Sequence, residues 1–287
     1  MSVDSTDLLP RPGSPMLAMP PDLPPTFPAR VRSPGLLAAA GVIALYFILQ
    51  FLAGILLGVL IGLAISIVTV ARGNSPATIR SHVTDMLQQP NIKLLLIGLA
   101  LLLAAGLLLL LARKRWPALW SLATPPGFGF RHPQRAGEYG IGVALGLATP
   151  ILGGLLTQLL AHGQQVPQDV KQMLVGTAPA MQVFFMLTIV AIGPLVEELI
   201  FRGVLLSALL RHMRATWAIL LSAAVFALVH LPGLSFLWYA LPNLALLGVA
   251  AAWLRLRAGS IWPSVVLHGT NNLLAVIAWL FSMHGAG

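Results

Sequence analysis

Residues 181–210 read MQVFFMLTIVAIGPLVEELIFRGVLLSALL. Thirty almost wholly apolar residues make a membrane-length helix, yet Glu197, Glu198 and Arg202 sit in its middle. A charge at mid-bilayer costs about 2.5–3.5 kcal/mol on insertion scales, so three ask for roughly 8–10 kcal/mol unless they pair or meet water. The whole chain has only 8 Asp and Glu, and two stand here. Intramembrane charge of this density marks a functional site.

The rest of the composition agrees with a membrane setting. Of 287 residues 57% are apolar and 9% charged, and the mean hydropathy is +0.88. That is an all-α, polytopic helical membrane protein, and the long Leu/Ala/Val runs exclude a β-barrel. The net charge of +9 is spread through loops, as the positive-inside rule requires, so it implies no nucleic-acid partner. With no cysteine, disulfides, thiolate metal sites and cysteine catalysis are all ruled out.

Residues 1–34 hold nine prolines and no apolar core, which reads as a disordered tail rather than a signal peptide. Spans are expected at 36–71, 92–112, 139–160, 181–210, 215–231, 234–256 and 260–283. Pro242 would make eight elements if it breaks the sixth. The first span would reach about 54 Å, beyond a ~30 Å hydrocarbon core. It carries a ridge of Gly54, Gly58 and Gly62 suited to close helix packing. Residues 74–89 are polar and belong at the interface. The loop after Arg113-Lys114-Arg115, with Trp116, Trp120, Phe128 and Phe130, suits the headgroup region.

With the N-terminus in the cytoplasm, most Lys and Arg fall on the cytoplasmic side, among them Arg131, Arg135, Arg211, Arg214, Arg255 and Arg257. Arg72, Arg80, Lys93 and Lys171 fall opposite. The expected placement is therefore a multi-pass cell-membrane protein of bacterial inner-membrane type, with seven crossings and the N-terminus inside. The expected organisation is the tail 1–34, an N-terminal helical part 35–179, and a catalytic core 180–283.

Glu198 and Arg202 are four apart on a helix and can pair. Glu197 points about 100° away and lacks that partner. Two adjacent carboxylates in low dielectric do not ionise equally, so Glu197 is the candidate general base and Glu198 with Arg202 its support. Two further intramembrane groups join them: His230 after Phe226, and His268 with Asn272 on one face of the last span. Counting helix rise from the intervening turns brings Glu197 and His230 level, but leaves His268 about 8–10 Å short.

Glu197, His230 and His268 match the ligand types of a catalytic zinc or another divalent cation. Without a metal, Glu197 and His230 would deprotonate a water while His268 and Asn272 stabilise an oxyanion. Either route hydrolyses an amide. There is no HExxH, and Ser207, Ser222 and Ser264 lie in no nucleophile motif. Two other classes fit the same cluster: a non-catalytic membrane immunity or scaffold protein, and a proton-coupled transporter relaying through Glu197, His230 and His268.

Three motifs in order, Glu197-Glu198-x-x-x-Arg202, Phe226-x-x-x-His230 and His268-x-x-x-Asn272, resemble the CPBP family. This is the CAAX protease and bacteriocin-processing (Abi) group that includes type II CAAX prenyl endopeptidases. The resemblance covers residues 180–283. It implies an intramembrane endopeptidase of several helices around a watered cavity, acting on a peptide or membrane-protein substrate within the lipid bilayer. It also implies that Glu197 activates water with His230, that Glu198, Arg202 and Phe226 support it, and that His268 and Asn272 serve the oxyanion. It leaves the metal open.

Overall fold

The computed structural model describes residues 33–164 and 174–284, so the proline-rich tail expected over 1–34 lies almost wholly outside the described residues. Those residues form eight helices and, among them, no strand. Helix α1 spans Leu36–Ala71, α2 Pro76–Gln88, α3 Pro90–Arg115 and α4 Gly137–Ala161. Helix α5 runs Pro179–Leu209, α6 Ala215–Val229, α7 Leu241–Ala258 and α8 Trp262–His284. Five helices, α1, α3, α4, α5 and α7, are long and apolar enough to cross a membrane. The apolar α6 is shorter, and α8 carries His268, Asn271 and Asn272 in its middle. The chain is a multi-pass helical membrane protein.

Local chemistry sets the ends. Ser75 caps α2 by accepting the Thr78 N–H at 3.3 Å, with Pro76 in the first turn. Pro90 then starts α3 afresh, because it cannot continue α2's hydrogen bonding. The positive Arg113, Lys114 and Arg115 close α3 at its negative dipole end. Pro242 does not break a span. It sits in the first turn of α7, and the preceding residues form two short 3-10 turns, Pro232–Leu234 and Trp238–Ala240. The sixth helical element therefore starts at Leu241 rather than Leu234.

The core gathers α5 with α1, α3, α6, α7 and α8. The three serines act in packing: Ser222 donates to Phe201 O at 3.1 Å and Ser264 to Ala251 O at 2.9 Å, while Ser207 is sealed among apolar groups. Of the glycine ridge on α1, only Gly62 meets a neighbour, Val83 of α2.

The aromatic loop between α3 and α4 is packed into the protein rather than laid on its surface. Leu119 and Phe128 are fully buried and Trp116 nearly so, inside the main core. Arg255, near the end of α7, is also fully buried. It donates to Ala123 O at 2.8 Å and to Gly127 O at 2.7 Å, and so clamps the loop. Arg255 is thus an internal staple, not a loop charge. The α7–α8 turn rests on the same loop: Ile261 N–H donates to Gly129 O at 2.9 Å, and Ser260 Oγ to Arg131 O at 2.6 Å. Ser260 and Ile261 are buried. The start of α8 is thus anchored on that loop, and His268, expected to fall short of Glu197, lies within 3.7 Å of it.

Candidate active site

Helix α5 carries the charges on an altered winding. Pro194 has no N–H to return to the preceding turn. The stretch Thr188–Ile192 is wound as a π-helix, and Leu199–Leu205 is wound the same way. Such π-turns expose carbonyls to outside partners. Asn272 Nδ2 donates to Ile189 O at 2.9 Å. Gly269 lies so close that a Cβ there would come within 2.7 Å of Val190 O. These two contacts seat α8 on α5.

The carbonyl of Ile189 fixes the direction of a polar chain. Asn272 turns its NH₂ to that carbonyl, so its Oδ1 accepts from Asn271 Nδ2 at 3.3 Å. Asn271 Oδ1 in turn accepts from Thr149 Oγ1 of α4 at 3.2 Å. The hydrogen bonds of Asn272 therefore go to Ile189 and Asn271 rather than to the glutamates.

Glu198 and Arg202 are both 0% exposed. Their Oε2 and Nε are 3.2 Å apart but off-line for a hydrogen bond, so the attraction is Coulombic and Arg202 Nη1 is left without a partner. Arg202 Nη2 donates to Gly248 O at 3.3 Å. Its guanidinium also lies 4.6 Å from the Phe226 ring centre, a cation–π contact. Phe226 is fully buried and lies edge-on to Phe201 at 5.1 Å and to His268 at 5.6 Å. It thus holds the motif residues of three helices in one packing unit.

His268 Nδ1 donates to Glu198 Oε1 at 3.0 Å. His230 Nδ1 donates to Phe226 O at 2.7 Å. A carbonyl or carboxylate oxygen can only accept, so each Nδ1 carries a proton. In the neutral ring each Nε2 is then a bare acceptor. Both point at one atom: Glu197 Oε2 lies 3.8 Å from His230 Nε2 and 3.7 Å from His268 Nε2. Three lone-pair groups facing one point need a proton donor among them. Glu197 keeps 19% of its side chain exposed and His230 keeps 33%, so water can supply those hydrogens.

Imidazoles anchored through Nδ1 are also what a metal site uses. Two ligands about 2.0–2.1 Å from a tetrahedral ion stand roughly 3.3 Å apart, and the separations here are wider. Among the described residues no group of three His, Asp or Glu is placed to hold a metal ion. As arranged, the donor set suits a water better than a metal.

The residues singled out in sequence converge: Glu197, Glu198, Arg202, Phe226, His230 and His268 form one cluster, with Asn272 seating α8 beside it. Not legible beforehand were the Ile189 carbonyl, Thr149 and Asn271. Pro194 inside an apolar helix was their one visible signal.

Helices α5 to α8 thus present a partly open Glu–His cluster inside a multi-pass helical protein. Residues 179–274 match the family model described as type II CAAX prenyl endopeptidase, Rce1-like. The match takes in every residue of the cluster and none of α1 to α4. No curated protein and no solved structure matches the chain.

Proposed function

We propose that this protein is an intramembrane endopeptidase that hydrolyses a peptide bond with water activated by Glu197 and His230. The observation that carries this is the convergence of two imidazole Nε2 atoms on the exposed carboxylate oxygen of Glu197. A water held there donates one hydrogen to Glu197 Oε2 and the other to His230 Nε2. Its lone pair is left to attack the peptide carbonyl, and Glu197 takes the proton released as the C–O bond forms. His268 lies between two carboxylates, with Nδ1 on Glu198 and Nε2 turned to Glu197; in its doubly protonated form its Nε2–H faces the developing oxyanion. Proton return from Glu197 to the amide nitrogen completes C–N cleavage. Asn272 acts here by holding α8, and with it His268, in register. Every step uses protein groups and water alone.

The substrate is a peptide or membrane protein reached within the bilayer, and the description of the matching family makes a prenylated CAAX peptide the first probe. The protein would be a bacterial-type cell-membrane enzyme with the N-terminus in the cytoplasm and residues 180–283 as its catalytic core. The test is cleavage of an internally quenched prenylated CAAX peptide, and of its unprenylated twin, by protein in proteoliposomes. Glu197→Gln and His230→Ala should each stop cleavage while membrane insertion is kept. Full activity in either variant would refute the assignment. Activity that vanishes with a chelator and returns with zinc would instead place a metal in the pocket.

A further inference from the structure

Helix α1 lies outside the family match, yet it brings a hydroxyl to the Glu–His cluster. Arg211, just past α5, donates to Pro34 O just before α1 at 3.3 Å, so the two antiparallel helices are pinned together at one end. Helix rise from that pin is about 18 Å to Tyr46 and about 21 Å to Glu197, which puts the two side chains level within a turn. Between pin and cluster, α1 packs on the Leu199–Leu205 stretch of α5.

Tyr46 is 3% exposed and belongs to the same buried cluster as Val196 and Ile200, which bracket the glutamates. Its ring is therefore held inside the core rather than turned to the outer face of α1. The hydroxyl has no hydrogen-bond partner among the described residues. It is also absent from the sealed polar atoms that lack one, which include Ser207 Oγ and Thr157 Oγ1. Its oxygen thus keeps a little accessible surface rather than being sealed in packed carbon. A buried phenol usually finds a partner for its O–H. The partly exposed Glu197 carboxylate stands level with it along the two helices.

We propose that Tyr46 is a positioning residue of the site, its phenolic O–H directed into the Glu197 pocket to fix the carboxylate and its water. This rests on the hydrolytic role of Glu197. With both rings neutral, Glu197 Oε2 and both Nε2 atoms are acceptors, so a protein donor is missing until His268 takes a second proton. Tyr46 would supply one without adding a charge.

Two measurements test this, one of them independent of the reaction. The chain has only 3 tyrosines, so the ring Cζ signals of ¹³C-tyrosine-labelled protein are few and Tyr46→Phe assigns the one concerned. Glu197→Gln should move the Tyr46 signal and leave Tyr139 and Tyr239 in place. In the cleavage assay, Tyr46→Phe keeps the ring and its packing. It should lower kcat about tenfold to a hundredfold, the range for a lost hydrogen bond to a charged group, with KM changed less than about twofold. A Tyr46 signal unmoved by Glu197→Gln, or a Tyr46→Phe enzyme with unchanged kcat, overturns the proposal. If Glu197→Gln itself stays active, the hydrolytic role of Glu197 falls instead. The Tyr46 signal still decides whether the two share a pocket.

Discussion

Two arginines are fully buried among the described residues, and their surroundings differ in kind. Arg255 is ringed by backbone: the carbonyls of Ala123 and Gly127 take its hydrogens, and no carboxylate is paired with it. Arg202 faces Glu198 and the Phe226 ring, and two of its nitrogens go without a hydrogen bond. The first holds a loop. The second holds a carboxylate that holds an imidazole, and that imidazole meets Glu197 where the protein opens. Buried charge alone therefore does not identify the reactive region. What identifies it is a chain of pairing that ends on a group left partly exposed.

Substitutions can break that contrast. The largest effect is expected at the exposed end: Glu197→Gln should cut kcat by about 10²–10⁴-fold with little change in thermal stability, measured side by side on one preparation. One step inward the effect should turn to stability. Glu198→Ala leaves Arg202 buried and unpaired, and unfolding in detergent should show a loss of about 3–5 kcal/mol. The double variant Glu198→Leu, Arg202→Met should recover most of that stability and none of the activity. Gly269→Ala forces α8 away from Val190 O, which is backbone and cannot swing aside. A misplacement of His268 near 1 Å should lower kcat roughly a hundredfold.

The two smallest effects concern the clamp and the ring. Arg255→Met should destabilise by about 1–3 kcal/mol, because buried loop carbonyls lose their donor, yet leave KM unchanged. A large KM change there would erase the distinction between the two arginines. Phe226→Leu removes the cation–π contact with Arg202 and should lower stability by about 1–2 kcal/mol, read from the same unfolding curves.

Much of this was legible in sequence, and the reasons are physical. Charges within an apolar run are rare enough that their spacing carries information, so Glu198 with Arg202 and the exposed role of Glu197 followed from helix geometry. The ends of α1, α3 and α4 followed from apolar runs and prolines to within a few residues. The meeting of His268 with Glu197 did not follow from counting helix rise, because the packing of α8 on α5 through Gly269 and Asn272 is not announced by any side-chain pattern. The loop's aromatics looked like headgroup anchors for the same reason: composition cannot tell an aromatic at the membrane surface from one in a core. Arg255 counted among the loop charges because only packing reveals it as internal. Asn272 was expected to serve an oxyanion; that its amide also binds a carbonyl exposed by a π-turn was not foreseeable. Pro194 marked that turn, but nothing in the sequence says which helix will use it.

Helix α1 has 36 residues, about 54 Å of apolar cylinder in a hydrocarbon layer near 30 Å. Something must absorb the excess, and a bilayer does so by making the helix lean. The pin between Pro34 and Arg211 holds its near end. Its far half is engaged as well, with Gly62 against Val83 of α2 and Thr69 buried. A thinner or thicker bilayer would therefore tilt α1 together with the helices it packs on, α2 and α3, rather than bend it alone.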